Sequence, residues 1–253
     1  MRQIVCMTAR MTHVTRFHFP ATKTHTKQTS VITRVLAAGF IAGIVAGLFV
    51  AALQHVTTTP LILTAEIYEV SGEAAQRGLS TLTQSALLHR TINTSLSTIA
   101  LSMGYALILL AVMLLSEEKI DAYRATLWAA CAFAATGLSA GLELAPQLPG
   151  SAETALHDRQ IWWLTNAALT ASGLYLVIKI DPIPIKIVGL ALIVVPHFFA
   201  PYPATPESHV PAELAARFAA ASLSVQALSW LLAGALAGAI FQLLNSQNNE
   251  TRR

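Results

Sequence analysis

The strongest constraint on this chain is the length of its apolar blocks. After Arg34 the stretch to Val56 runs for more than twenty residues, and its charged and strongly polar groups wait until Gln54 and His55. A helix rises 1.5 Å per residue, so about 20 apolar residues cross a bilayer core of about 30 Å. The same pattern recurs, which predicts spans at 35–56, 92–115, 124–145, 160–179, 184–200 and 215–243. The fifth is short and begins among Pro182 and Pro184, so a re-entrant segment is the competing reading. Only 11% of residues are charged, against about 25% in globular proteins. The fold class expected is all-α: a polytopic transmembrane helix bundle of about six spans, with five as the alternative, and short outer helices.

Residues 1–33 hold no Asp or Glu, but they carry Arg2, Arg10, Arg16, Lys23 and Lys27. They read as a flexible basic N-terminal arm, 34–244 as the transmembrane bundle and 245–253 as a C-terminal tail. The arm and first block imitate a secretory signal, yet the block exceeds an apolar region of about 7–15 residues. With six spans, Arg77, Arg90, Arg159 and Arg217 fall on one side and the other twelve of the 16 Lys and Arg on the other. Basic residues favour the cytoplasmic side, which places both termini there. His55, His89, His157, His197 and His209 then all face outward.

Several function classes lose support. No GxGxxG, GxxxxGK[ST] or HExxH pattern occurs, so nucleotide binding and zinc-protease chemistry have no motif. Cys6 and Cys131 define no disulfide framework. An intramembrane enzyme would need ionisable groups in mid-span, and here they gather at span ends. No enzyme, no permanently bound cofactor and no nucleic-acid partner is expected.

What remains is cation capture at the outer ends. Pro60 suits the first turn of a short helix capped by a threonine. Glu66, Glu69 and Glu73 then share one helical face, although a solvated acidic face fits the same spacing. Glu153 and His157 lie one turn apart. Glu143 and Pro196-His197 close spans three and five, where an ionisable group needs a partner or a wet cavity. The candidate metal-handling residues are therefore His55, Glu66, Glu69, Glu143, His157 and His197. Imidazole with carboxylate suits divalent transition metals without selecting one. Glycines four apart, Gly39/Gly43/Gly47, Gly137/Gly141 and Gly234/Gly238, read as close helix-packing faces.

Three segments also resemble the cobalt transporter subunit CbtA family: GIVAGLFVAALQHVTTTPLILTAEIYE, GLELAPQLPGSAETALHDRQIWWLTNAALTASGLYL and VPHFFAPYPATPESHVPAELAARFAAASL. The residues that carry the likeness are Gln54, Pro60, Glu66, Tyr68, Glu69, Arg159, Gln160, Trp162, Trp163, Pro196, His197 and Pro211. The resemblance implies a bacterial inner-membrane protein that takes up cobalt (Co2+) for cobalamin supply. It also implies a small single-span, histidine-containing partner of the CbtB type, and the family is usually described with five spans. A homo-oligomer in the lipid bilayer is a further expectation. The alternative is a membrane scaffold for the partner that itself transports nothing.

Overall fold

The computed structural model describes residues 22–69, 84–152, 154–203 and 207–250, and all regular structure among them is helical. In chain order these are α1 (Thr22–Val56), α2 (Thr58–Glu69), α3 (Gln84–Leu115) and α4 (Ala122–Phe133). A π turn (Ala134–Leu138) leads into α5 (Ser139–Glu143). Then come α6 (Leu156–Lys179), α7 (Ile183–Val194), a 3-10 turn (Val195–Phe199) and α8 (Ala212–Glu250).

Five segments are long and apolar enough to cross a membrane: Val31–Val56, Leu87–Leu115, Ala122–Glu143, Leu156–Lys179 and Ala212–Gln247. The sixth expected span is the shorter apolar segment Ile183–Phe199. It packs antiparallel to α6. A Cβ at Gly173 would come within 2.5 Å of the Gly189 carbonyl oxygen, and Trp162 Nε1 donates to the Pro196 carbonyl at 2.9 Å. The segment therefore returns the chain from the level of Lys179 to that of Trp162.

Helix extends past the apolar bundle at both ends. Helix α1 begins at Thr22, inside the stretch expected as a flexible arm, while residues 1–21 lie outside the described residues. No proline or glycine occurs between Pro20 and Gly39, and helix propagation is cheap once nucleated. For the same reason α8 continues through the expected tail to Glu250, with no breaker after Gly238.

Small residues bring the helices together. Ala38, Ala42 and Ala46 of α1 are fully buried with Ala106 and Leu110 of α3, Ala125 and Ala129 of α4, and Ala233 and Ala237 of α8. A Cβ at Gly43 would strike the Met103 backbone at 2.3 Å, so that glycine permits the α1–α3 approach. Phe40, Ile44, Leu48 and Phe49 stay exposed on the opposite face, as lipid contact requires.

The two ends differ in chemistry. At one, Glu118 meets both Lys179 and Arg124, Asp121 caps α4 by accepting from Arg124 N at 2.9 Å, and Arg34 donates to Asn245. The other end carries His55, Glu66, Glu143 and His197.

Candidate functional site

The π turn shapes the site. Ser139 N–H reaches back five residues to the Ala134 carbonyl, so the turn is wider than an α-helical one. Such turns are rare and frequent at functional sites. Two tryptophans clamp it: Trp163 Nε1 donates to the Thr136 carbonyl at 2.9 Å, and Trp230 Nε1 to Thr136 Oγ1 at 3.1 Å. The hydroxyl of Thr136 in turn donates to the Ala132 carbonyl.

Immediately after the turn, Ser139 becomes the hub of a buried polar cluster. Its Oγ lies 3.1 Å from Thr170 Oγ1, 3.1 Å from Asn166 Nδ2 and 3.2 Å from His197 Nε2. Asn166 is completely buried. A polar group inside a bundle must find partners there, and these three helical segments supply them to one another.

The other imidazole nitrogen points at a carboxylate. His197 Nδ1 is buried and 3.5 Å from Glu143 Oε1, close enough for an ion pair with a charged ring but not an aligned hydrogen bond. The second carboxylate oxygen of Glu143 accepts from Tyr202 OH at 3.2 Å. That hydrogen bond, with the carboxylate's charge, pushes the exposed Tyr202 phenol above its ordinary pKa. Trp162 stands edge-on to the His197 ring, centroids 6.4 Å apart. A nitrogen and a carboxylate oxygen thus converge where no hydrogen bond already consumes the nitrogen.

The other candidates do not join this pair. His55 Nε2 is 3.0 Å from Ser95 Oγ on α3. Glu66 is held by both guanidinium nitrogens of Arg90, which neutralises the carboxylate expected to attract cations. Glu69 ends α2, its side chain and all of Glu73 lying outside the described residues, as does Glu153. His157 is strongly exposed and faces Asp158 at 3.5 Å. Among the described residues no three of His, Cys, Asp and Glu gather as a metal-ligand set. The expected threonine cap also works differently: Thr57 and Thr58 hydroxyls donate back to the Leu53 and Gln54 carbonyls. They bind α2 to the end of α1.

Sequence reasoning missed Ser139, Thr170 and Tyr202. The available signal was Ser139 and Glu143 at i and i+4, one helical face holding a hydroxyl and a carboxylate near a span end.

Long apolar helices, a small-residue core and ionisable groups gathered at the ends define a multi-pass membrane protein. Residues 32–242 match the family model described as "Probable cobalt transporter subunit (CbtA)". The chain belongs to that family. No curated protein and no solved structure matches it.

Proposed function

We propose that this chain is the membrane subunit through which a bacterial cell takes up a divalent transition metal, cobalt before others, to supply cobalamin synthesis. It lies in the inner membrane with both termini in the cytoplasm and the His197 end outward. His197 and Glu143 receive the ion there, and solvent or a small histidine-bearing partner completes its coordination. The observation that carries this reading is the His197–Glu143 pair, both members inside the family-matched segment. No ATPase motif occurs. The membrane potential is sufficient drive, since two charges moving inward gain about 4.6 kcal/mol per 100 mV.

The second reading is a scaffold that presents the partner's histidines and transports nothing. It is favoured by the lack of a three-ligand set among the described residues. Cobalt uptake in cells that express the chain alone, the partner alone, or both decides between them. Uptake by the chain alone that collapses in His197→Gln supports transport by this subunit. Uptake that needs the partner and ignores His197→Gln selects the scaffold, and cells showing no cobalt uptake under any combination would end both readings.

A further inference from the structure

A second polar region lies on the other side of the π turn and shares no residue with the His197 cluster. Between α1, α2, α3 and α8 is a partly open cavity of about 290 Å³. Its polar lining is Gln54, Thr58, Thr98, Tyr105, Ser222, Gln226 and Ser229, set among apolar side chains such as Ile62, Leu101 and Phe218, and none of the described residues lining it is charged. Thr58, Thr98 and Ser229 are buried within the bundle. Thr98 donates to Gln54 Oε1 at 2.7 Å, and Ser229 Oγ lies 3.3 Å from Ser102 Oγ. The floor is a stacked pair, Tyr105 on Trp230, 4.0 Å apart and 11° from parallel. Below it the core is closed by buried Leu109, Leu110 and Met113.

We infer that this cavity holds a divalent cation with its first water shell intact, gripped through those waters by Gln54, Thr98, Gln226 and Ser229. Six waters occupy about 180 Å³ at about 30 Å³ each, which fits the space. Stripping the shell would leave a double charge facing neutral oxygens only, whose attraction is far below the lost hydration. Metal-bound waters, by contrast, are strong donors, and amide and hydroxyl oxygens are suitable acceptors. A neutral site also binds weakly enough to release its ion, as conduction demands. The inference rests on the uptake reading for the identity of the ion.

The test uses the full chain in membrane vesicles, with Cys6→Ser and Cys131→Ser, and Ser222→Cys as reporter. Thr58→Cys, on a lining residue outside that gripping set, replaces the reporter if the first variant does not assemble. The cationic thiol reagent 2-aminoethyl methanethiosulfonate should label the reporter. Hexaamminecobalt(III), whose inner shell does not exchange, should slow labelling severalfold. Adding Gln54→Leu and Gln226→Leu should abolish that protection and leave labelling intact. Protection by aqueous cobalt(II) but not by the hexaammine would overturn the inference, as would absent labelling in both reporters or no protection by either ion. Wild-type vesicles without cobalt uptake but with hexaammine protection would defeat the uptake reading alone.

Discussion

Gly173 of α6 and Gly189 of α7 stand back to back, so that a Cβ on either would enter the other's carbonyl oxygen at 2.5 or 2.8 Å. This contact holds the short segment against α6 and so sets the height at which His197 meets Ser139 and Glu143. Overpacking a core costs about 1–3 kcal/mol where side chains can yield, and here the obstacle is backbone. Gly189→Leu should therefore lower the unfolding temperature in detergent and weaken cobalt binding together. A variant with unchanged melting and unchanged uptake would show that the two helices are not in contact.

His197 and Glu66 give opposite expectations. His197→Gln or Glu143→Gln should raise the half-saturating cobalt concentration roughly tenfold, equivalent to about 1.4 kcal/mol, with a smaller effect on maximal rate. Glu66→Gln breaks only a partly exposed pair with Arg90, and such pairs contribute about 0–1 kcal/mol. Its half-saturation should stay near that of the wild type. Uptake curves that rank Glu66→Gln as the more damaged variant would move the capture site to α2.

The phenol of Tyr202 offers a check on the Glu143 environment. Its pKa is raised, so the folded chain holds that proton more tightly than the unfolded chain. The associated stability is fully present below the ordinary phenol value near 10 and is lost as pH rises through the folded value. In Glu143→Gln the hydrogen-bonded charge is gone, and Tyr202 should ionise at lower pH than in the wild type. NMR titration of ring-labelled tyrosine, assigned with Tyr202→Phe, reads this directly. An unmoved or higher pKa would mean that Glu143 does not reach the hydroxyl.

The proposed orientation rests on the uneven distribution of Lys and Arg between the two sides and has a direct check. In a background without Cys6 and Cys131, single cysteines replacing Ser151 and Ser208 should react with an impermeant reagent added outside intact cells. Cysteines replacing Lys119 and Asn248 should not. External labelling at position 248 would mean that Ile183–Phe199 does not carry the chain across.

The apolar blocks and glycine spacings were readable because each is a local pattern, and Gly43 against Met103 is what such spacing encodes. Glu143 and His197 were each found as ionisable groups near span ends, although their pairing depends on helices far apart in the chain. The pairing of Glu66 could not be read from the spacing of α2 because its partner, Arg90, lies 24 residues further along the chain. Ser139 escaped notice because its direction depends on the π turn. One residue rotates a helix by about 100°, so an ordinary α turn there would aim Ser139 elsewhere, and no residue type announces the wider one.

The 3-10 ending of the short segment has a consequence for lipid choice. Twelve α-helical and five 3-10 residues span about 28 Å, just under a typical hydrocarbon core of about 30 Å. Neighbouring α6, with 24 residues, is about 36 Å long. Longer acyl chains would therefore strain the bundle first at Ile183–Phe199, at a fraction of a kcal/mol per ångström. Phe198 and Phe199, both strongly exposed, present apolar rings at that end. His197 immediately precedes them, so a bilayer that thickened or thinned around this segment would change how far the imidazole lies from water.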